Sequence, residues 1–535
     1  MNRNAATVRQ SPMERLKPYL NSSVPSVNLR QARAAAAPRA ASREGFNGAR
    51  LSRLDLDWVT SSLPLDEQIR WDLRRLRARA RDLSQNTPQG KHYRNLLMSN
   101  VVGPTGFKLQ AKTRMGDGAD AELDRETNRL IEKAWRAWGT TRVTVDRRLC
   151  FVDFLNLVVK TLATDGEVFI RRFIGFDNAY RYALQLIDAD LVDERLSRTA
   201  GVDGNEIRMG VEVDGFGAPV AYWVNTGTVF DVNSQSGRRT RIPAEEIIHL
   251  YVNERPNQTR GVPWFAPVMA RLKMLDGYTE AELVAARTGA AKMGFIQSKD
   301  GAVISMPDAE DGTNPNAPMV MEGNPGTIEQ LQPGWEFSAW DPNHPSGAFG
   351  DFVKTVLRDI WSGLGVSYNA GANDLENVNY SSMRSGLLIE RDIWRMLQNF
   401  MVVNVLSPIY TDWLNTALLS GALRLSGQNF QDYAEVSWIP RGWAWVDPLK
   451  ETQAGVLGMS NGLASRTRLL AEQGLDLDET FEELAEELEL AKEMGIELAS
   501  SQPPAPAPGQ PGQPGQQGVA PGAEEPPADS GDATD

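Results

Sequence analysis

The chain has 535 residues and a net charge of −13. A protein that grips nucleic acid over a broad face needs clustered Lys and Arg, so this charge argues against that class. A single cysteine, Cys150, excludes an internal disulfide and a four-cysteine zinc site, and it favours folding in the cytosol. No apolar run is long enough to cross a bilayer, and we expect no membrane partner.

The two ends of the chain differ in composition from the rest. Residues 1–50 hold nine Lys or Arg and two Glu, and we interpret 1–63 as a flexible basic arm. An arm that binds DNA or a partner is the alternative for this segment. The tail, 500–535, is rich in Pro, Gly and Gln and has no Lys or Arg. It cannot bury enough apolar surface to offset its ordering entropy, so we predict disorder.

Helices and then strands are predicted between residues 64 and 263. Apolar residues recur at helical spacing in four segments: 64–86, about 90–101, 120–139 and 150–166. Five short segments rich in branched and aromatic residues follow, and they are separated by Gly, Asp and Asn turns: "EVFIRRFI", "RYALQLID", "EIRMGVEVD", "PVAYWVNT" and "EEIIHLYV". We therefore predict an α+β domain over 64–263.

An acidic insert is predicted between two helices in the next part of the chain. A single rod-like helix is expected over 264–297, and a second helix over 346–367. The segment between them, 298–345, has Gly, Pro and Asn turns, and it has eight acidic residues with no Lys or Arg from residue 300 onward. We expect short strands in this insert.

A polar stretch, 368–380, separates the second of these helices from a longer one. It contains Asn369, Asn373, Asn377 and Asn379 and ends at Tyr380. Such residues favour an irregular backbone.

The segment 381–448 is predicted to form the longer helix and a short β element, and 449–499 to form further helices, the last strongly acidic. We expect a serine cap at the start of the longer helix and apolar packing along it: Ser381 or Ser382, then Leu387, Leu388, Ile393 and Trp394.

Few residues suggest catalysis. The "GPTGFK" stretch lacks the spacing of a phosphate-binding loop, which argues against an ATPase. Asp188 and Asp190 end a strand and could hold Mg²⁺ in a nuclease, although polar residues at a strand end commonly form a turn. His249 lies in an alternating strand and is interpreted as structural. Three tryptophans in "WIPRGWAWVDPLKE" could stack on bases, but core packing is the more common use. We expect no enzyme activity and no cofactor.

The order of several segments is more specific than any one of them. They include "LRARARDLSQNTPQGKHYRNLLMSNVVGPTGFKLQAK", "LATDGEVFIRR", "LQLIDADLVDE", "IPAEEIIHLYVNERPNQTRGVPWFAPVMARLKMLDGYTEAELVAAR", "DIWSGLGVSYNAGANDLENVNYSSMRSGLLIERDIW" and "WIPRGWAWVDPLKE". Together, over about 64–495, they resemble the portal proteins of lambda-type tailed bacteriophages.

The resemblance implies a ring of identical subunits, usually twelve, at one vertex of the capsid in the virion. DNA would be packaged and ejected through its channel after assembly in the bacterial cytoplasm. The implied partners are the terminase large subunit, the major capsid and scaffold proteins, head-completion or tail connector proteins, and double-stranded DNA. The implied architecture is a wing (64–263), a stem (264–297 and 346–367), a clip (298–345), a tunnel loop (368–380), a return to the wing (381–448) and a crown (449–499).

The resemblance also indicates two sets of site residues. The tunnel loop would offer DNA weak hydrogen bonds from Asn369, Asn373, Asn377, Asn379 and Tyr380. Acidic clip residues would contact the terminase or connector proteins: Asp308, Glu310, Asp311, Glu322 and Glu329. Two alternatives remain open, a metal-dependent nuclease using Asp188 and Asp190, and a scaffold protein that binds DNA through its basic arm.

Overall fold

A computed structural model describes most of the chain between residues 62 and 496. The described ranges are 62–115, 122–200, 204–225, 239–290, 294–298, 335–339, 349–376, 379–425, 430–444 and 446–496. Apart from residues 62 and 63, the predicted basic arm lies outside these ranges, as does the predicted disordered tail.

Helices form the larger part of the described chain. In chain order they are α1 (Leu65–Ile69), α2 (Leu73–Asn86), α3 (Pro88–Leu97), α4 (Arg125–Thr140), α5 (Phe151–Asp165), α6 (Met269–Ala290), α7 (Phe349–Gly363), α8 (Tyr368–Ala372), α9 (Tyr380–Met401), α10 (Ser407–Leu419), α11 (Phe430–Ala434), α12 (Pro448–Ser460), α13 (Arg466–Glu472) and α14 (Leu477–Met494). One π-helical turn, Met98–Val102, extends α3, and another, Val402–Leu406, joins α9 to α10.

The strands are short and pair antiparallel. They are β1 (Lys108–Ala111), β2 (Arg114–Met115), β3 (Glu122–Leu123), β4 (Glu167–Ile174), β5 (Tyr182–Ile187), β6 (Glu206–Arg208), β7 (Val211–Val213), β8 (Pro219–Asn225), β9 (Arg239–Pro243), β10 (Ile247–Tyr251), β11 (Gly294–Ser298), β12 (Trp335–Ala339) and β13 (Val436–Ile439). The main sheets have the orders β10-β4-β5 and β6-β7-β8-β9. The architecture is a mixture of helices and sheets, as the α+β prediction requires.

An aromatic cluster joins distant parts of the sequence in the main core. Trp135 on α4 lies 5.0 Å from Trp413 on α10 and 5.7 Å from Trp438 on β13, measured between ring centroids. Strand β13 also pairs with β1, so that Lys108 lies opposite Ile439. Buried aromatic rings contribute large apolar areas and favour edge-to-face contacts of this kind. The C-terminal half of the chain is therefore part of the same core as the N-terminal helices.

The junction between α5 and β4 places a buried glutamate at the start of a central strand. Helix α5 ends at Gly166, whose φ of 84° is accessible to glycine at little cost. A methyl group at this position would overlap the backbone at Val262, so the glycine also permits a close approach of two chain segments. Glu167 follows directly as the first residue of β4 and is completely buried.

The four-stranded sheet has its own small core and differs from the prediction in one turn. The segment "EIRMGVEVD" was expected to be one strand, but it forms β6 and β7. Met209 and Gly210 have φ values of 48° and 84° and form the tight turn between them. Positive φ at both central residues is the backbone geometry that two-residue hairpins favour.

Helix α6 is shorter than the rod predicted over 264–297. It has 22 residues and ends at Ala290, and the chain then enters β11, which pairs with β12 in the register Gly294 opposite Ala339. The apolar residues after residue 290 therefore belong to a strand pair at the two ends of the predicted acidic insert. The insert itself, from 299 to 334, lies outside the described residues.

Helix α14 is held against α4 and β1 by ion pairs. Glu479 on α14 pairs with Lys108 at 2.8 Å and with Arg136, and Glu482 pairs with Arg129. The N-terminal part of this acidic helix thus binds basic side chains of the same subunit. Among the described residues, no helix is both long enough and apolar enough to cross a membrane.

Candidate functional site

The segment between α7 and α9 contains the predicted tunnel-loop residues. It begins with Ser367, whose hydroxyl caps the short helix α8 by accepting a hydrogen bond from Ala370 N at 3.4 Å. The same hydroxyl donates to Glu390 Oε2 at 2.5 Å, and Glu390 is buried on α9. Because one serine serves both contacts, the start of the segment is tied to the helix that follows it.

The turn after α8 folds back onto α7. Asn373 adopts a left-handed conformation, with φ of 52°, and ends the short helix. Asp374 then accepts hydrogen bonds from Tyr368 Oη at 2.7 Å and from Glu376 N at 3.0 Å. These hydrogen bonds, that of Tyr368 first, lower the Asp374 pKa. Lys354 on α7 pairs with Glu376 at 2.9 Å. The turn is therefore anchored by a lysine as well as by its own hydrogen bonds.

Helix α8, at the start of the segment, packs tightly against its neighbours. Gly371 lies against the ring of Trp361, and a methyl group at this position would overlap that ring. Trp361 is buried and makes an edge contact with His92 at 6.0 Å between ring centroids. His92 Nε2 also lies 3.0 Å from the carbonyl oxygen of Ala370. These contacts connect α8 to α3, so its position is determined from three sides.

The predicted site residues lie along this segment with different environments. Asn369 is half-buried on α8, whereas Asn373 and Asn379 are exposed. Tyr380 begins α9, and Asn377 lies outside the described residues. The segment was predicted to be irregular from 368 to 380, but its first five residues form a helix. Capping and packing contacts explain this difference, since the short polar stretch alone carries no helical pattern.

One local prediction for α9 is wrong. Ser381 and Ser382 were expected to precede the helix and cap it, but the helix starts at Tyr380, so both lie within its first turn. Leu387, Leu388, Ile393 and Trp394 were expected to pack the base of the loop against the ring; within the subunit Trp394 is buried, whereas Leu388 and Ile393 are exposed. The apolar residues of α9 therefore belong to two faces, one of which is exposed in the subunit.

Four of the exposed apolar residues of α9 and the following turn have heptad spacing. They are Ile389, Ile393, Met396 and Val403, with exposed fractions of 68%, 38%, 73% and 58%. Separations of four, three and seven residues place side chains on one stripe of a helix. We call these four residues the α9 stripe. Helix α6 exposes Leu283 and Val284 as well.

The five predicted clip residues cannot be placed, since they lie outside the described part of the chain: Asp308, Glu310, Asp311, Glu322 and Glu329. Only the two strands that flank this insert, β11 and β12, are described, and they pair with each other.

The proposed nuclease carboxylates are engaged in ion pairs. Asp190 pairs with Arg77 at 2.9 Å and with Arg81 at 2.6 Å, and Asp188 pairs with Arg81 at 2.8 Å. A metal ion would have to displace these guanidinium groups. Within the described ranges, no group of His, Cys, Asp and Glu side chains could hold a metal ion. The arrangement is that of a charged joint between α2 and the strand end.

A buried ionic network adjoins this joint and was not predicted from the sequence. Glu167 accepts hydrogen bonds from Arg260 and from Arg77, the latter at 3.1 Å, and it lies 3.1 Å from His249 Nε2. Burial favours a higher Glu167 pKa, but the charges and hydrogen bonds of Arg260 and His249 outweigh it, so the Glu167 pKa is lowered. One signal was present in the sequence, since Arg77 lies on the apolar face of α2 between Leu73 and Ala80.

Sequence comparison places the chain among phage proteins. The model of the family "Phage portal protein, lambda family" matches residues 52–398. The probable portal protein of Halomonas phage phiHAP-1 is 33% identical over 458 residues, which cover 84% of this chain and 87% of the relative. Portal protein B of Escherichia phage lambda is 24% identical over 485 residues, covering 84% of this chain and 89% of that protein.

A structural comparison gives a more distant similarity. A chain in the virion of a native gene transfer agent particle matches with a TM-score of 0.39 and 14% identity, covering 76% of this chain and 93% of that one. This score is too low to carry the assignment, which rests on the sequence matches. They extend over most of the chain and include the segment between α7 and α9. The chain belongs to the lambda family of phage portal proteins.

Proposed function

We propose that this portal protein forms a closed ring, of twelve subunits in the virion, at the unique vertex of the capsid. Double-stranded DNA would pass through the central channel during packaging and ejection. The single observation that carries the proposal is the family match over residues 52–398. The ring would be structural, without catalysis of its own and without a cofactor, and it would assemble in the bacterial cytoplasm.

The exposed apolar surface of the subunit supports a ring. Large apolar side chains exposed along a helix at heptad spacing, as in the α9 stripe, usually mark a contact with another chain. A second copy of the subunit is the occupant that a ring requires. A heterologous contact of this kind closes into a ring when its rotation divides a full turn.

The segments are proposed to take the roles that the family resemblance implies. The wing would be 64–263, the stem the segments 264–297 and 346–367 with their helices α6 and α7, and the clip 298–345. The tunnel loop would be 368–380, followed by the return to the wing over 381–448 and the crown over 449–499. The pairing of β1 with β13, which joins 108–111 to 436–439, supports the return to the wing. The pairing of β11 with β12 supports a compact insert between the stem helices.

The tunnel loop is proposed to contact DNA weakly. Asn369, Asn373, Asn377, Asn379 and Tyr380 would offer hydrogen bonds to phosphates without a fixed positive charge, so that the duplex can slide. The exposure of Asn373 and Asn379 supports this role. The acidic residues of the clip would repel DNA and contact the terminase large subunit or the connector proteins: Asp308, Glu310, Asp311, Glu322 and Glu329. The major capsid and scaffold proteins would contact the outside of the ring.

Two experiments test this function. Size-exclusion chromatography with light scattering should give one species with the mass of a closed ring, and a monomer or dimer at all concentrations would refute the proposal. The double variant Asn377→Lys, Asn379→Lys should leave the ring intact and impair packaging in an assay with the terminase and procapsids. Packaging at the original rate would contradict the role of the tunnel loop.

A further inference from the structure

Three guanidinium groups surround one indole ring on the surface next to α9. Arg391, Arg395 and Arg441 have their guanidinium carbons 5.8, 5.7 and 5.5 Å from the centroid of the Trp443 ring. Arg391 and Arg395 are one turn apart on α9, and the other two residues follow β13. We call these four residues the arginine cluster. A cation within about 6 Å of an aromatic face is attracted to it, but one ring rarely attracts three.

Two members of the cluster donate their hydrogen bonds to uncharged oxygens. Arg391 Nη2 donates to the carbonyl oxygen of Ala444 at 3.1 Å, and Arg441 Nη1 donates to Asn100 Oδ1 at 2.9 Å. Both arginine residues are half-buried. A half-buried cation is normally paired with a carboxylate, because its transfer out of water is costly. The cluster therefore holds more positive charge than its own hydrogen bonds neutralise.

The carboxylates close to the cluster do not balance it. Arg395 pairs with Asp392 at 2.9 Å, and both side chains are more than half exposed. Glu451, which lies on α12, attracts the charge of Arg391 electrostatically and pairs with Arg384 at 3.4 Å. Arg384 also faces Asp447, which pairs with Lys450 at 3.0 Å. Within the described chain, five cationic side chains thus face three carboxylates, which leaves an excess charge of two. In agreement with this, burial and the charge of Arg395 lower the Arg391 pKa.

The support of the cluster is rigid. Trp443 Nε1 donates to Asn100 Oδ1 at 3.0 Å, the same oxygen that accepts from Arg441. Gln398, only 2% exposed, donates to the carbonyl oxygens of Asn100 and Arg441 at 3.1 and 3.0 Å. A buried amide thus fixes the backbone on both sides of the ring. Such preorganisation lowers the entropy cost of binding a ligand there.

We propose that the arginine cluster binds a phosphate group of the DNA backbone. A guanidinium group has five N–H donors, so Arg391 and Arg441 keep donors beyond their hydrogen bonds to uncharged oxygens, and two donors of one guanidinium group match two oxygens of a phosphate. A phosphate would supply the negative charge that the cluster lacks. The choice of DNA as its source rests on the proposed function of the ring as a conduit. Trp443 then acts as a platform for arginines and not for bases.

The test compares two variants that lose the same charge. Arg395→Gln removes the exposed arginine of the cluster, and Arg148→Gln removes an arginine with 82% of its side chain exposed, far from it in sequence. The full-length chain is titrated with a short fluorescent duplex at several salt concentrations. Each phosphate contact contributes a slope of about 0.9 in log affinity against log salt. We expect Arg395→Gln to lower this slope by at least about 1 and Arg148→Gln to leave it unchanged.

The other outcomes overturn the proposal. Equal slopes for both variants and the wild type would show that the cluster does not contact DNA. Binding of inorganic phosphate that depends on Arg395, without a change in DNA affinity, would refute DNA as the source. Loss of the ring in Arg395→Gln with unchanged DNA binding would mean that a neighbouring subunit supplies the anion. A wild-type chain that forms no ring would refute the proposed function as a conduit. A titration with inorganic phosphate would still show whether the arginine cluster binds a phosphate group.

Discussion

Arg260 and Glu167 form a bidentate ion pair that is completely buried. Arg260 Nη2 lies 2.6 Å and Nε 2.8 Å from the two carboxylate oxygens, and both side chains are 0% exposed. Arg77 and His249 approach the same carboxylate. The pair joins the loop before α6 to the first residue of β4. A buried charge of this kind is tolerated only while its partner is present.

The first prediction concerns this pair. Glu167→Gln removes the carboxylate that pairs with the buried Arg260, whereas Arg77 keeps its ion pairs with Asp190 and Glu194, and we expect the free energy of unfolding to fall by about 3–5 kcal/mol. Urea denaturation followed by circular dichroism measures the change. Asp177→Asn is the matched control, since it makes the same replacement in an ion pair of which the aspartate is 95% exposed. It should change stability by less than about 0.5 kcal/mol, and a similar loss in both variants would contradict the account.

The pH dependence of the stability that this pair contributes follows from the direction of the Glu167 pKa shift. The folded-state pKa of Glu167 lies below the ordinary value of 4.5. Its contribution is therefore fully present above pH 4.5 and is lost as the pH falls through the lower, folded-state pKa. As the pH falls below 4.5, the melting temperature of the wild type should decrease progressively. The melting temperature of Glu167→Gln should decrease less over the same range. A parallel decline in the two proteins would argue against the lowered pKa.

The pKa of Glu132 is shifted in the opposite direction to that of Glu167. Burial raises its pKa to about 7, and the charges of Asp476 and Asp478 add to this effect, while a hydrogen bond from Ala111 N at 2.8 Å opposes it. The protonated form is favoured in the folded chain, so its stabilising effect is complete below pH 4.5 and is lost as the pH rises through 7. Glu132→Gln should raise the melting temperature at pH 8 and have little effect at pH 4. Equal melting temperatures of variant and wild type at pH 8 would refute the raised pKa.

Two glycines should respond in opposite ways to alanine. Gly371→Ala forces a methyl group into the buried ring of Trp361, and overpacking of this kind costs about 1–3 kcal/mol. Gly386 lies in the interior of α9 with no atom near its missing side chain, so Gly386→Ala should stabilise the chain by about 1 kcal/mol. Differential scanning calorimetry compares the two. Stabilisation by Gly371→Ala would show that α8 does not pack as described.

The α9 stripe should be needed for assembly and not for folding. Ile389→Asp places a charge at a position that is 68% exposed in the subunit, so the unfolding temperature of the monomer should not change. In a ring the same charge would be buried in an apolar contact and would prevent assembly. Native mass spectrometry measures the subunit number. Leu419→Asp, at an exposed position outside the stripe, is the control, and rings formed equally by both variants would exclude the stripe from the interface.

Much of the fold could be predicted from local patterns. The strands β4, β5, β8 and β10 are short segments rich in branched and aromatic residues, and α5 has most of its apolar residues on one face, so these elements were expected. The hairpin at Met209 was missed because a turn that begins with methionine carries no common turn signal. The end of α6 was also missed, since the residues that follow pair with a strand about forty positions later.

The site depends on contacts that no local pattern reports. Glu167 and Arg260 lie 93 positions apart, and Lys354 and Glu376 lie 22 apart, so their pairing is decided by packing. The asparagines of the tunnel loop could be picked out by composition. The difference in their exposed fractions could not be predicted, because it depends on the packing of Gly371 against Trp361. The excess charge around Trp443 likewise needs three residues from two separate elements.

Electron microscopy of the purified full-length chain shows whether its subunits form a ring around a channel. Two-dimensional class averages should show a closed ring with rotational symmetry and a central hole wide enough for double-stranded DNA. At higher resolution the α9 stripe should lie in the contact between neighbouring subunits and the segment 368–380 should face the hole. Particles without a hole, or single subunits at every concentration, would contradict the account.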